Sequence, residues 1–300
     1  MKVLLSVPRG FCAGVVRAIE IVELALRKYP HPVYVKHQIV HNPFVVRSLE
    51  DKGARTVECV AEIPEGATVV FSAHGSPPED YLEAEKRGLK VIDATCPLVT
   101  KVHNEAKRFA KNGRNLVLIG HRGHQEVKGT MGQAEMHLVD DREEDNMPDW
   151  GRDEPVAVIT QTTLSVSDTQ QAVSKIQESF ADVVVRNDLC YATTNRQFAV
   201  SELAKQVDMV LVVGAHNSSN CNRLREVAEA HGVPAHLING PEELDPEWIE
   251  GVESVGITSG ASTPEELILN VISALAPEEV TSLDGVEEDV NFLLPHELRT

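Results

Sequence analysis

The chain has 300 residues, and its 28 lysines and arginines are outnumbered by 46 aspartates and glutamates, which gives a net charge of −18. That length exceeds one small core and suits two or three compact domains. The negative charge excludes a general attraction to a nucleic-acid backbone or to an anionic membrane, so we expect neither as a partner. Any anionic ligand would have to be bound by local groups.

The cysteine count and the apolar stretches bear on the compartment. Five cysteines are too few, and odd in number, for a secreted disulfide framework. The apolar run within residues 1–7 is too short for a signal peptide. The longest apolar stretches, such as Met209–Val213, are strand-sized and far below the roughly 20 residues that cross a bilayer. We therefore expect a cytoplasmic protein with reduced thiols.

A unit of strand, single cysteine and helix occurs three times along the chain. Short β-branched runs precede the cysteines, residues 3–7 before Cys12, residues 91–94 before Cys96 and residues 183–185 before Cys190. The apolar positions of the three following helices are Val15, Ile19, Val22 and Leu26; Val99, Val102, Ala106 and Phe109; and Val200, Leu203 and Val207.

Each third then continues alike, with a second strand, a short strand and a last strand, separated by helices or loops. Strands that alternate with helices predict parallel sheets with right-handed crossovers. We predict an α/β fold of three small parallel-sheet domains, at residues 1–88, 89–182 and 183–277, with approximate threefold symmetry and a C-terminal tail at 278–300. The remaining predicted strands are 33–36, 116–119 and 210–213; 56–58, 136–139 and 236–238; and 68–71, 156–159 and 255–258.

Polar residues gather at the predicted carboxyl ends of these strands, where open parallel sheets bind ligands. If the three edges converge, these residues line one cavity. By thirds they are Cys12, His41 and His74; Cys96, His124, Glu126, Thr162 and Thr163; and Cys190, Ser218, Ser219, Asn220 and Ser262.

The three repeated cysteines each precede a helix, whose N-terminus stabilises a thiolate. Three thiolates at one point would repel one another, so a metal centre is the simplest compensation. Zinc is one alternative, although structural zinc sites usually draw on CxxC-like pairs, which this chain lacks. Three separated cysteines suit a cubane iron–sulfur cluster with one iron open to a substrate hydroxyl. Cys59 and Cys221 have no counterpart in the other thirds, and we expect them to be small buried hydrophobes.

The other groups suit an anionic, oxygen-rich substrate. Imidazole, hydroxyl and amide groups at helix starts are donors for phosphate oxygens, although each serine or asparagine can also be a helix cap. Glu126 is the candidate proton donor, and Thr162 could pass a proton along. A charge in the first turn of a helix is the alternative role for Glu126. The other nine histidines are expected to be ordinary surface or core residues.

Six segments carry a more specific signal than the single residues do: PRGFCAGV at 8–15, ATCP at 94–97, GHRGHQE at 120–126, TQTTLS at 160–165, CYATTNRQ at 190–197 and NSSN at 217–220. Together they resemble the LytB (IspH) family of 4-hydroxy-3-methylbut-2-enyl diphosphate reductases, from the first strand to about Leu294. The resemblance implies the last step of the methylerythritol phosphate pathway, in which the allylic hydroxyl is removed with two electrons and protons to give isopentenyl and dimethylallyl diphosphates.

The resemblance also implies a trefoil of three α/β domains around a central cavity with one 4Fe-4S cluster, held by Cys12, Cys96 and Cys190, whose fourth iron is open. Glu126 would be the proton donor, with Thr162 beside it. Reduced ferredoxin or flavodoxin would supply the electrons. The diphosphate-binding residues would be His41, His74, His124, Thr162, Ser218, Ser219, Asn220 and Ser262.

Two alternatives to a reductase stay open on the residues alone. A zinc metallohydrolase would use the same cysteines, and a redox sensor would keep the cluster without catalysis. A basic stretch could dock an acidic electron donor, or could simply be a solvated helix face. It contains Lys101, Lys107, Arg108, Lys111 and Arg114.

Overall fold

The structure is a computed structural model that describes residues 1–140, 142–143 and 146–299. In chain order its strands are Lys2–Leu5 (β1), Val33–Lys36 (β2), Ala54–Val57 (β3), Thr68–Phe71 (β4), Lys90–Asp93 (β5), Asn115–Ile119 (β6), His137–Val139 (β7), Pro155–Thr160 (β8), Asp182–Val185 (β9), Met209–Val213 (β10), Ala235–Ile238 (β11), Ser254–Ser259 (β12) and Glu279–Ser282 (β13).

None of the helices in the described part of the chain has both the length and the apolar character needed to cross a membrane. The α-helices are Ala13–Lys28 (α1), Pro43–Asp51 (α2), Pro78–Lys86 (α3), Pro97–Lys111 (α4), Gln125–Met131 (α5), Val166–Ser179 (α6), Tyr191–Ala204 (α7), Ser219–Ala230 (α8), Pro246–Ile249 (α9) and Glu265–Leu275 (α10), and short 3-10 turns lie at Val60–Glu62, Pro241–Glu243 and His296–Leu298.

The described strands form three sheets in which every pairing is parallel. The strand orders are β11-β10-β12-β1-β13, β3-β2-β4-β5 and β7-β6-β8-β9. Because parallel neighbours need long crossovers, helices separate most consecutive strands. The predicted α/β class with three parallel sheets is confirmed.

The chain divides into two compact units. The first unit contains Met1–Val15, His41–Val45 and Tyr191–Asn291, and it holds the five-stranded sheet. The second contains Val16–Val40, Val46–Cys190 and the residues from Phe292 onward, and it holds both four-stranded sheets. The predicted borders after residues 88, 182 and 277 stay a prediction.

The central strands are buried on both faces, which explains their unbroken apolar sequences. Along β10, Met209, Leu211 and Val213 pack in one core cluster with residues of α10. Val210 and Val212 point to the opposite face and pack with residues of α7 and α8. Because side chains alternate along a strand, each core takes every second residue.

The strand–cysteine–helix unit is confirmed in all three places. Cys12 immediately precedes α1, Cys96 is the residue that caps α4, and Cys190 immediately precedes α7. The strands before the second and third cysteines complete the preceding sheets, since β5 pairs with β4 and β9 pairs with β8.

Three details differ from the sequence prediction. The first strand ends at Leu5 and not at Val7, where Pro8 follows with no N–H to donate to a ladder. The third cysteine helix ends at Ala204, so Val207 lies beyond it, although it still packs against the core. Strand β13, within the predicted tail, was not expected because all four of its residues are exposed and show no apolar alternation. Its backbone pairing with β1 holds it in place.

A close approach within the second unit fixes the loop that carries His74. Gly75 has φ +82°, and a Cβ there would lie 2.7 Å from the His103 ring of α4. On the other side, a Cβ on Gly129 of α5 would lie 3.0 Å from the Gly75 carbonyl oxygen. Because neither glycine has a side chain, the loop lies directly against both helices.

We expect Gly75→Ala to lower the free energy of unfolding by about 2–4 kcal/mol, because left-handed backbone costs roughly 1 kcal/mol and overpacking against a buried ring adds about 1–3 kcal/mol. Gly88→Ala is the matched control, since Gly88 also has positive φ, +62°, but nothing lies within 4 Å of its Cβ position. That variant should lose only about 1 kcal/mol. Urea unfolding under anaerobic conditions measures both, and equal losses would contradict the close-approach interpretation.

Candidate functional site

Each of the three repeated cysteines is held by the same kind of backbone hydrogen bond. The amide of Cys12 donates to Ala261 O at 3.1 Å, that of Cys96 to Ala73 O at 3.0 Å, and that of Cys190 to Thr162 O at 3.0 Å. Each acceptor lies in a loop after the last strand of a predicted third. The bond therefore links each cysteine to a loop with a candidate substrate-binding residue: Ser262, His74 or Thr162.

The cysteines themselves suit a metal cluster. All five cysteines of the chain fall within the described residues and are reduced thiols, and the three repeated ones are half-buried. Burial raises the pKa of the Cys12 thiol, while hydrogen bonds from the amides of Val15 and Gly14 and the Arg196 charge act in the opposite direction. Half-buried thiols at helix N-termini are a donor set that an iron–sulfur cluster takes.

Among the described residues, no group of three or more histidine, cysteine or acidic side chains is arranged to hold a metal ion. A cluster makes a different demand from a single ion, because each cysteine binds a different iron. The residues present therefore fit a cluster by their chemistry and by their places before three helices.

Glu126 and Thr162 form a buried pair in the second unit. Glu126 is 3% exposed. Its Oε1 accepts from the Thr162 amide at 2.6 Å, and its Oε2 accepts from Thr162 Oγ1 at 2.9 Å. Burial raises the pKa of Glu126 to about 7, although both bonds from Thr162 lower it and the Asp188 charge raises it further. A carboxyl with that pKa can hold and release a proton near neutral pH.

Two candidate histidines lie next to this pair. His124 caps α5, and its Nδ1 accepts from the Glu126 amide at 3.2 Å. The rings of His124 and His74 meet edge to face, with centroids 6.0 Å apart. Ser72 Oγ lies 3.3 Å from His74 Nδ1. The second unit thus brings two imidazoles together with the buried carboxyl–hydroxyl pair.

The first unit holds the remaining candidates. Ser262 Oγ donates to His41 O at 3.0 Å, and Asn42 Oδ1 caps α2 by accepting from the amides of Phe44 and Val45. This contact brings Ser262 and His41 together.

The segment 217–220 combines a helix cap with a buried amide. Ser218 Oγ caps α8 by accepting from the Cys221 amide at 3.4 Å, as the cap interpretation predicts. Asn220 is 4% exposed, and neither atom of its side-chain amide has a hydrogen-bond partner within the described residues. Because a buried polar group without a partner is costly, Asn220 suits a ligand-binding role.

The two remaining cysteines differ from each other. Cys221 is fully buried, as expected, and burial raises the pKa of its thiol to about 11. The expectation for Cys59 is wrong, because Cys59 is exposed. Its amide donates to Glu62 Oε1 at 2.8 Å at the start of a short 3-10 turn, so capping and not core packing determines its place.

Sequence reasoning missed Asp188. Its side chain is buried, and Lys101 Nζ donates to its Oδ1 at 3.2 Å. Burial raises the pKa of Asp188, and Lys101 partly offsets this. The available signal was its position two residues before Cys190 in the third repeat. The basic stretch of α4 and the loop after it is therefore partly paired, since Arg108 on α4 and Arg114 in the loop also form ion pairs, with Glu105 and Asp182.

Fold and site together define an α/β protein that places thiol, imidazole, hydroxyl and carboxyl groups in the loops that follow its parallel strands. The family model described as LytB protein matches residues 3–276. The chain belongs to the LytB family, which is a family of iron–sulfur enzymes.

Relatives across the whole chain carry one enzyme name. A 4-hydroxy-3-methylbut-2-enyl diphosphate reductase of Zymomonas mobilis is 53% identical over 306 residues, covering 100% of this chain and 90% of that protein. The 4-hydroxy-3-methylbut-2-enyl diphosphate reductase 2 of Bradyrhizobium diazoefficiens is 55% identical, covering 99% of both chains.

Two solved structures also match. The E-1-hydroxy-2-methyl-but-2-enyl-4-diphosphate reductase from Plasmodium falciparum gives a TM-score of 0.95 at 36% identity, covering 99% of this chain and 96% of that one. A structure of (E)-4-hydroxy-3-methyl-but-2-enyl diphosphate reductase, described as the terminal enzyme of the non-mevalonate pathway, gives 0.67 at 35% identity, covering 92% and 99%.

The Glu126–Thr162 contact predicts a measurable titration. We expect the Glu126 carboxyl to titrate near pH 7, and Thr162→Val to move the midpoint upward, because the lost hydroxyl bond stabilises the ionised form. Thr162→Ser keeps a hydroxyl and should leave the midpoint close to that of the wild type. The carbonyl band in pH-difference infrared spectra reports the midpoint, and Glu126→Gln identifies the band. A midpoint near the ordinary value of 4.5 would contradict the effect of burial.

Proposed function

We propose that this chain reductively dehydroxylates (E)-4-hydroxy-3-methylbut-2-enyl diphosphate to isopentenyl and dimethylallyl diphosphates, the last step of the methylerythritol phosphate pathway. Membership of the LytB family and relatives that carry this reductase name at 53% and 55% identity support the proposal. The structural observation that best supports the proposal is the buried Glu126–Thr162 pair. The carbonyl of Thr162 accepts a hydrogen bond from the Cys190 amide, so the pair lies next to one of the proposed cluster ligands.

In the proposed reaction the allylic carbon–oxygen bond breaks, the oxygen leaves as water after taking one proton, and the allyl group takes two electrons and a second proton. Glu126 would supply the proton to the leaving hydroxyl. Its Oε1 accepts the Thr162 amide proton, so in the protonated form the carboxyl proton belongs on Oε2, and Oε2 then donates to the Thr162 hydroxyl from which the ionised form accepts. The hydroxyl can then relay that proton or orient the substrate oxygen.

The diphosphate would be bound by neutral donors. We propose that imidazoles, hydroxyls and the buried Asn220 amide hold its oxygens, together with N–H groups at helix starts. The unpartnered amide of Asn220 and the paired rings of His74 and His124 support this role. The proposed binding residues are His41, His74, His124, Thr162, Ser218, Ser219, Asn220 and Ser262.

We further propose that Cys12, Cys96 and Cys190 hold one 4Fe-4S cluster with an open fourth iron. When bound, the cluster supplies electrons and a Lewis-acid site for the substrate hydroxyl. The chain contributes the thiolates, and the helix N-termini behind them stabilise the thiolate charge.

The electron donor would be a reduced ferredoxin or flavodoxin, and the compartment would be the cytoplasm. The odd and sparse cysteine count, five in 300 residues, supports a reducing compartment. The basic stretch on α4 supports docking of an acidic donor, since Lys101, Lys107, Arg108 and Lys111 are exposed on a chain whose net charge is −18.

Glu126→Gln tests the proposal. The anaerobically purified wild-type protein should be brown, contain iron and sulfide, and reduce the hydroxylated diphosphate. We expect the variant to keep the cluster and to lose turnover by about 100-fold or more, the usual contribution of a general acid. Because the proton sits on a group whose pKa is about 7, wild-type turnover should also fall as the pH rises above 7.

Glu79→Gln, an exposed glutamate in the first turn of α3, is the matched control and should keep wild-type turnover. A colourless wild-type protein with stoichiometric zinc would favour a metallohydrolase and contradict the proposal. A cluster-bearing wild-type protein without turnover would favour a redox sensor. Loss of the cluster in Glu126→Gln would contradict the proton-donor role.

A further inference from the structure

The helix that follows each cysteine carries a basic residue five or six positions further along. These residues are Arg17 after Cys12 on α1, Lys101 after Cys96 on α4, and Arg196 after Cys190 on α7. Neither the family motifs nor the proposed chemistry assigns them a role.

Each basic residue contacts the loop that leads into another of the three cysteines. The Arg17 guanidinium reaches the segment before Cys96, the Lys101 ammonium reaches the segment before Cys190, and the Arg196 guanidinium reaches the segment before Cys12. The contacts are Arg17 Nη1 to Ala94 O at 3.3 Å and Thr95 O at 3.0 Å, Lys101 Nζ to Asp188 Oδ1 at 3.2 Å, and Arg196 Nη2 to Gly10 O at 2.9 Å.

The pattern is cyclic in chain order. The helix after the first cysteine holds the loop of the second, the helix after the second holds the loop of the third, and the helix after the third holds the loop of the first. Each contact falls one or two residues before its cysteine. Two of these contacts are hydrogen bonds to backbone carbonyls and one is an ion pair, yet all three fall at equivalent positions, so the repetition points to the cysteines.

Two of the three side chains also donate hydrogen bonds to residues in the C-terminal part of the chain. Arg196 is fully buried, and its Nη1 donates to Glu288 at 3.0 and 3.2 Å. Arg17 Nε donates to Leu293 O at 2.8 Å. Lys101, by contrast, is half exposed. The Arg196 charge favours the Cys12 thiolate, and the charge of its partner Glu288 acts in the opposite direction.

We propose that Arg17, Lys101 and Arg196 are positioning residues that hold the three cysteine loops and offset the negative charge of the thiolates. The inference rests on the proposed cluster. Positive charge near a cluster favours its reduced, more negative state and raises its reduction potential. Loops held by side-chain donors should also release iron more slowly. The effects should be smallest for Lys101, because its side chain is half exposed to solvent.

Charge removal tests this on the whole cluster-loaded protein. In Arg17→Gln and Lys101→Gln we expect a lower reduction potential and a severalfold faster loss of iron to a chelator, with a chemical reductant replacing the protein donor. Arg27→Gln on α1 and Lys111→Gln on α4 remove exposed charges from the same helices, and both should match the wild type in these two measurements. Arg17→Lys keeps the positive charge and should therefore have a reduction potential close to that of the wild type.

Arg196 needs a second variant, because Arg196→Gln buries an unpaired Glu288 and can fail to fold. Arg196→Lys keeps the charge but loses the forked donor geometry. We therefore expect it to keep a potential near that of the wild type and to lose iron faster, which separates positioning from charge.

The results distinguish the inference from the proposed function. If wild-type protein carries the cluster and turns over, but Arg17→Gln and Lys101→Gln match their controls in potential and iron loss, the positioning roles are overturned alone. If wild-type protein binds no iron and sulfide, the proposed function itself fails. A drop in thermal stability without a change in potential or iron loss would reduce these residues to structural ion pairs and would also overturn the inference.

Discussion

The amide hydrogen bond behind each cysteine is the constraint on which the rest of the site depends. It ties Cys12, Cys96 and Cys190 to Ala261, Ala73 and Thr162, in the loops that also carry hydroxyl or imidazole groups. Loops usually have few such contacts, and a hydrogen bond from the residue immediately before a helix links each of these loops to that helix. The thiols and the substrate-binding candidates are therefore positioned by the same backbone contacts.

Burial of Glu126 resolves a conflict between the acidity of the chain and its proposed anionic substrate. An ionised carboxylate beside a diphosphate would repel it, and the net charge of −18 makes further repulsion costly. Because burial raises the pKa of Glu126 to about 7, the side chain can be neutral when the anion binds and still have a proton to give. The same burial of Glu126 thus suits both the proposed binding of the anion and the proposed proton transfer.

Elements whose signal lies in a short stretch of sequence could be predicted, whereas a strand or contact that depends on residues far apart in the chain could not. Strands such as β4 and β10 were predictable because both faces are buried and the whole run is apolar, and the helix starts were visible from the repeated cysteines. Strand β13 was not predictable, because it is held by backbone pairing with β1 and buries none of its residues. Contacts such as Arg17 to Thr95 and Arg196 to Gly10 join residues far apart in the chain, so no local signal reveals them.

The residue that accepts the cysteine amide bond is not the same in all three repeats. That position is alanine in two of the three repeats, Ala73 and Ala261, and threonine in the other, Thr162. Neither alanine has a side-chain donor or acceptor, whereas Thr162 offers its carbonyl to Cys190 and its amide and hydroxyl to Glu126. A polar side chain at one of three equivalent loop positions therefore places the proposed proton donor in one repeat only, which suits the proposed substrate with its single hydroxyl to lose.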